Sequence, residues 1–546
     1  MVQPTLFPAE KPLPLKGQAP LERNGVVYTK PWVADLILDL IGYTHDQPLH
    51  ERVLAEPAAG DGSFLLKAAE RLAESCARTG TSLLDCRESI LAYELDEATV
   101  ARAREALICL LTERGIRRTD AESLARGWVC HGDYLLESAH LAGKADYGVG
   151  NPPYIRLESL EDGGATYRAA YPTMVGRADI YVAFYEAALR QLKPSGACGF
   201  ICADRWMFNQ YGAALRRFVT SGFSVEAVVQ MHHADAFESE VSAYPAVTII
   251  RRAPQGSVRV ASLDAEAGTL TAAELPTKGA ELDGWFTGEE PWPLLSAEHL
   301  SLLRRLEAGF PTLEETGATV GIGVATGADA VFITKDSDLV EAERLLPLAM
   351  ASDVRGASLA WSGHYLVNPW NGAGLINLAA YPRLADYLDR HRIRLQARHV
   401  GKKNPHGWYR TIDRVNGTLT AIPKLYLPDF KGRIAPILDR GGTYPHHNLY
   451  FILPGGWDPE VLGGLLLTDV AQFFIESYGV RMRGGYLRFQ AQYLRRIRVP
   501  RPTALSESQA ERLRQAFQQR NVPLANAVSR ELYCLTENEE ALLGPG

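Results

Sequence analysis

Between Glu51 and Arg252 the chain alternates short apolar runs with stretches of helical apolar spacing, and no other feature narrows its fold so far. "RVLAEPA" precedes a helical pattern from Ser63 to about Arg78, and "SILAYEL" precedes "DEATVARAREALICLL". "GWVCHGDYL" leads to "KADYGVGNPPY"; then come "DIYVAFYEAALRQL", "GACGFICAD", "YGAALRRFVTS", "SVEAVVQM" and "AVTIIRR". Strands separated by helices run parallel, with helices on both faces. Such an α/β sheet binds ligands at the carboxyl ends of its strands.

The alternation stops near residue 255. Residues 256–295, rich in Gly, Ala, Glu and Pro, read as a linker, and 296–546 as an irregular α+β domain punctuated by Pro, Gly and aromatics. Residues 1–22 form a proline-rich lead with neither signal-peptide nor anchor pattern. With roughly 150 residues per domain, 546 residues accommodate several folding units. No run approaches the ~18 apolar residues of a membrane helix. The net charge of −7 excludes nucleic-acid binding through global positive charge, so any such surface is a local patch. The seven cysteines are scattered, and Cys198 and Cys202 lie in a buried-strand pattern. They read as packing in a reducing cytoplasm, and no metal site is expected.

"VLAEPAAGDGSFLLKAAERL" is a strand, a tight Gly60-Asp61-Gly62 turn and a helix. Glycines there allow close backbone approach to a ligand, and the helix start offers unpaired N–H groups. The next strand ends in Glu94, where a carboxylate can accept both hydroxyls of a ribose. A nicotinamide fold wants a third glycine at position 65, which is Leu. Glu56 just before the turn would repel a pyrophosphate and attract a cation. S-adenosylmethionine (AdoMet), which has no phosphate and carries an ammonium and a sulfonium, fits that charge.

The fourth strand run, "ADYGVG", ends in Asn151-Pro152-Pro153-Tyr154. Two prolines cannot donate to a sheet ladder, so the strand halts on a stiff corner. An exocyclic amine such as adenine N6 is a poor nucleophile because its lone pair is delocalised into the ring. Two acceptors aimed at its two N–H bonds, Asn151 Oδ1 and the Pro152 carbonyl, would draw the nitrogen toward tetrahedral geometry. Tyr154 offers a ring face for stacking the base. The same corner would equally hold another planar amine or amide, such as cytosine N4, ribosomal-RNA guanine N2 or a protein glutamine.

The series "GVVYTKPWVAD", "AEPAAGDGSFL", "AYELD", "GDYL", "GVGNPPY", "GRADIYVAFYEAAL", "GFICADRWM" resembles the gamma-class DNA adenine-N6 methyltransferases of restriction–modification systems. The resemblance implies a Rossmann-like AdoMet-dependent catalytic domain over 23–255 and a target-recognition domain over 296–546. It implies that Tyr28 and Thr29 flank the methionine part of AdoMet, and that Glu56, Ala58, Gly60 and Gly62 line the cofactor turn. Glu94 would hold the ribose, Asp133 would accept from the cofactor's adenine amino group, and Asp179 would stand near the cofactor at a helix start. Asn151, Pro152, Pro153 and Tyr154 would hold the target amine. Phe237, or else Tyr244, would sandwich the extruded base.

A base inside a duplex reaches such a pocket only when flipped out. Two basic stretches suit the duplex backbone: "DRHRIRLQARHVGKKNPHGWYRTIDR", with Trp408 and Arg410, and "YGVRMRGGYLRFQAQYLRRIRVP", with Arg483, Tyr486 and Arg488. The implied partner is double-stranded DNA, with no membrane, a monomeric chain, and cleavage on a separate endonuclease. Release-factor and ribosomal-RNA enzymes are typically shorter, lacking a large domain after the catalytic one. No Pro-Cys pair is present for cytosine-C5 chemistry. The remaining rival is a DNA-reading subunit without catalysis.

Overall fold

The computed structural model describes residues 28–155, 164–231, 234–238, 245–263, 269–283, 286–355, 358–479 and 487–544. The proline-rich lead lies outside the described residues. The chain divides into two compact units, Met1–Ala297 and Glu298–Gly546.

The first unit is built on a nine-stranded sheet of order β3-β2-β1-β4-β5-β7-β6-β8-β9. The strands are β1 Leu54–Glu56, β2 Ile90–Glu94, β3 Val129–His131, β4 Ala145–Gly150, β5 Leu192–Ala203, β6 Ser224–Gln230, β7 Pro245–Arg251, β8 Val258–Ser262 and β9 Ala280–Leu282. Strands β1 to β5 pair in parallel, while β7 runs antiparallel between β5 and β6. Both faces are covered, as the alternation requires. Neighbouring residues of a strand face opposite sides. A Cβ at Gly199 would lie 2.6 Å from Ile37 and 2.9 Å from Ile41, both on helix α1 (Pro31–Ile41). The next residue, Phe200, meets the Tyr185 ring edge-on at 5.1 Å across the other face. Glycine at 199 is thus what lets α1 seat directly on the sheet. Helix α2 (Ser63–Thr79) is joined to α1 by Arg71, which donates to Asp35 at 3.0 Å and Asp39 at 2.6 Å.

The 256–295 linker is corrected. β8 pairs in parallel with β6, and β9 antiparallel with β8, so this stretch extends the sheet. Its Gly and Pro concealed two short strands that edge pairing stabilises without strong alternation of their own.

The second unit is α+β. One four-stranded antiparallel sheet has the order Thr319–Ile322, Leu449–Leu453, Lys424–Pro428, Ile437–Asp439. A second sheet orders Ile333–Thr334, Tyr365–Val367, Leu345–Ala349, Tyr444–Pro445. Helices close the chain, including Glu507–Gln519 and Val522–Tyr533. Lys424 is wholly buried and its ammonium is matched by Asp439 at 3.0 Å and the Ile422 carbonyl at 2.7 Å. Among the described residues no helix is long and apolar enough to cross a membrane.

Candidate active site

From β1 the chain runs outward through β2 and β3, then returns to lay β4 against the other side of β1. The carboxyl ends of β1 and β4 therefore frame the point where strand order reverses, the crevice in which open α/β sheets bind ligands. Glu56 closes β1 and Gly150 closes β4. A Cβ at Gly150 would stand 3.6 Å from Pro57 Cδ and 4.0 Å from Glu56 Cγ, so the two strand ends touch.

Glu56 is completely buried, and neither carboxylate oxygen has a hydrogen-bond partner among the described residues. Burial pushes its carboxyl well above the ordinary range, with the charges of Asp61 and Glu94 adding to the effect. A buried acid without partners costs free energy that the fold does not recover on its own.

The glycine turn follows. Gly60 (φ +55°) and Gly62 (φ +94°) occupy the left-handed region, which L side chains rarely adopt. Glu94, closing β2, accepts from Gly60 N at 3.0 Å and from Asp96 N at 2.9 Å, tying the turn to the neighbouring strand. The Tyr28 ring lies over the turn, 3.6 Å from where a Cβ of Gly60 would be. Ala58 is half-buried beside it.

The corner after β4 is held from several directions. Asn151 donates through Nδ2 to Thr29 Oγ1 at 3.2 Å. Thr29 forms an isolated antiparallel bridge with Phe237, flanked by Lys30 N to Ala236 O at 2.9 Å and Glu238 N to Tyr28 O at 3.1 Å. Pro152 is buried, and Pro153 and Tyr154 are half-buried. The Tyr154 hydroxyl is buried without a partner among the described residues, and burial raises its phenol well above the ordinary range, with Cys202 the next cause. Ile180 N donates to Ile155 O at 3.0 Å, so the helix Tyr181–Gln191 begins against the corner. Asp179, partly exposed, stands just before that helix.

Asp133 caps the turn after β3, accepting from Leu135 N at 2.9 Å and from the Tyr167 hydroxyl at 2.7 Å. Tyr167 was missed by sequence reasoning. Nothing local marks it, because its partner lies 34 residues earlier. Phe237 is 8 % exposed and belongs to the core cluster that contains α1 and α2. Tyr244 lies outside the described residues.

Comparison with known proteins resolves the family. Residues 89–237 match the Eco57I restriction-modification methylase family. The chain is 44 % identical over 547 residues to the type II methyltransferase M.PaeR7I of Pseudomonas aeruginosa, covering 97 % of this chain and 95 % of that protein. It belongs to the type II restriction–modification methyltransferases. M.XhoI of Xanthomonas vasicola is 42 % identical, over 96 % of this chain and 99 % of the relative. The fold is also that of the type IIL restriction-modification enzyme MmeI, solved in complex with DNA. Its TM-score is 0.61 at 12 % identity, with 94 % of this chain and 74 % of that one covered.

A methyltransferase of this family is AdoMet-dependent, and the residues present fit that cofactor. The orphaned Glu56 carboxylate is the counter-charge that an ammonium or sulfonium would satisfy. The left-handed glycines leave room for close approach, and Glu94 lies at the end of the neighbouring strand.

Two expectations for the DNA-facing residues of the methyltransferase need correction. Trp408 is 6 % exposed and sits in the core of the second unit, with the Arg392 guanidinium 4.9 Å above its ring. It is packing, and Phe489 is likewise buried. Two arginines of the second basic stretch are also taken up by ion pairs. Arg495 meets Glu314 at 3.0 Å and Arg498 meets Glu315 at 3.5 Å. Arg410 is half-buried, 5.4 Å from the Trp370 ring. Arg483 and Tyr486 lie outside the described residues, and Arg488 is placed by its backbone alone, in a ladder with Phe430–Lys431. Arg394, Lys402 and Lys403 are exposed, and no ion pair engages them among the described residues.

Proposed function

We propose that this methyltransferase transfers the methyl group of AdoMet to the N6 amine of an adenine flipped out of duplex DNA. The act protects a short specific site from a separate endonuclease. The observation that supports this reading best is the Asn151–Thr29 hydrogen bond beside the buried Glu56. With Nδ2 committed to Thr29, the carboxamide is oriented, and Oδ1 is the atom that accepts from a substrate N–H. The Pro152 carbonyl takes the second N–H, from a backbone that two prolines hold stiff. Together they localise the nitrogen lone pair. Orientation and electrostatics carry the catalysis, without a covalent enzyme intermediate.

AdoMet supplies an electrophilic methyl group on a sulfonium. Glu56 balances the cofactor's positive charge, Ala58, Gly60 and Gly62 admit it closely, and Glu94 receives its ribose. Tyr28 and Thr29 flank its methionine part. Asp133 and Asp179 complete its surroundings, Asp133 toward the adenine amine. Tyr154 stacks on the target base, with Phe237 or Tyr244 on the opposite side. The second unit, 298–546, reads the target site, with Arg394, Lys402 and Lys403 contributing phosphate contacts. The enzyme works as a cytoplasmic monomer on chromosomal DNA.

One experiment tests the whole reading. DNA from a host without adenine methylation, expressing this chain, is sequenced with modified-base detection. N6-methyladenine within one short motif is the expected result. N4-methylcytosine would overturn the choice of base, and unmodified DNA the reading itself.

A further inference from the structure

The second unit contains a cluster that methyl transfer does not use. Asp329, His446 and His447 each bring one ligating atom to within 4.8 Å of the others. The grouping is invisible in sequence, since Asp329 lies 117 residues before His446. The fold assembles it by braiding two segments. Gly323 N donates to Leu449 O and Val324 N to Pro445 O, both at 2.9 Å, and His447 N donates back to Val324 O at 3.1 Å. A Cβ at Gly323 would sit 2.1 Å from the His446 carbonyl oxygen, so only glycine permits this crossing. Adjacent residues of a strand would point their rings apart. Here the chain leaves the ladder at His446 and turns, with Leu449 N bonded to His446 O at 2.8 Å, and the two imidazole centroids come to 4.0 Å.

Nitrogens at this cluster are left in want of a partner. His446 is 2 % exposed, and the Nδ1 atoms of both histidines are buried with no hydrogen-bond partner among the described residues. A simple His–Asp hydrogen bond, His446 Nε2 to Asp329 Oδ2 at 3.3 Å, explains one nitrogen and leaves His447 unaccounted for. Asp329 is itself aimed by Thr326 Oγ1, and its side chain is 48 % exposed, which gives an ion a way in.

We propose that Asp329, His446 and His447 bind a divalent transition-metal ion, with zinc the fitting occupant. Two imidazole nitrogens and one carboxylate suit zinc, and the exposed side of Asp329 leaves a fourth position to water. Pro445 pairs with Ala349 in one small sheet and Leu449 with Pro428 in the other, so the ion would staple the turn between the two sheets to the 323–329 segment.

The test uses the full chain, without an affinity tag, stripped by chelator and titrated with Co²⁺ and with Zn²⁺ alone. Expected are one equivalent of zinc per chain, visible-range Co²⁺ absorption of a low-coordinate N/O site, and a rise in Tm on adding zinc. Asp329→Asn and His447→Ala should each weaken zinc by more than about tenfold and abolish the rise in Tm. Asp329→Asn nearly preserves shape at a half-exposed position, so it decides the matter should His447→Ala fail to fold. Absence of binding by the wild-type chain, or equal zinc affinity in wild type and Asp329→Asn, would overturn the proposal.

Discussion

Each unit buries a charge-bearing side chain completely, and the two are treated in opposite ways. Lys424 of the second unit has Asp439 and a backbone carbonyl around its ammonium. Glu56 of the first unit has no hydrogen-bond partner on either oxygen among the described residues. Burial lowers the Lys424 ammonium below its ordinary value while Asp439 opposes the shift, and burial lifts the Glu56 carboxyl with no opposing partner. A satisfied buried charge specifies the scaffold. The unsatisfied one stands at a strand-order reversal, where open α/β sheets bind ligands.

The sharpest way to break this contrast is to remove one member of the satisfied pair. Asp439→Ala strands the buried Lys424 and should cost about 3–5 kcal/mol in denaturant unfolding. A cost near zero would show that the pair does not hold the second unit together. Next in size, Asn151→Ala should lower methyl transfer by roughly 100-fold or more while AdoMet affinity, read by calorimetry, stays near wild type. Comparable loss in both would make Asn151 a structural prop.

Glu56→Gln inverts the first experiment. It should weaken AdoMet by about tenfold, the worth of one charge-assisted contact, yet stabilise the cofactor-free protein. The sign in pH follows from the raised carboxyl. Between its ordinary value and its raised one, the folded state holds a proton that the unfolded state has released, so stability falls as pH rises through that window. Glu56→Gln should flatten this fall, as should saturating AdoMet in the wild type. A pH profile unchanged by the substitution would detach Glu56 from the comparison. The smallest effect concerns exposed charge. Lys402→Ala and Lys403→Ala should each reduce the log–log salt slope of duplex binding by about one. Unchanged slopes would return both lysines to an ordinary solvated surface.

Much of the first unit was legible because its information is local. The alternation marks β1 through β7, and the glycine turn with Glu94 and the Asn-Pro-Pro-Tyr stop mark strand ends that the sheet then brings together. Unread were features set by distant partners. The strands β8 and β9 depend on the edge offered by β6. Arg495 and Arg498 find their acids more than 180 residues earlier. Trp408 looked like a surface aromatic because arginines surround it in sequence. Periodicity in so short and irregular a segment could not say that its ring faces inward. Arg398, from the same stretch, folds back onto the carbonyls of Thr326, Trp408 and Arg410.

The bridge between Thr29 and Phe237 carries a consequence for how the protein is made. The neighbour that orients Asn151 is itself anchored by backbone translated long after the Asn-Pro-Pro-Tyr corner has left the ribosome. Until residues 235–238 emerge and close this long loop, the corner lacks its anchored neighbour. On the proposed mechanism, a nascent or truncated chain would contain every motif of the series and still be inert.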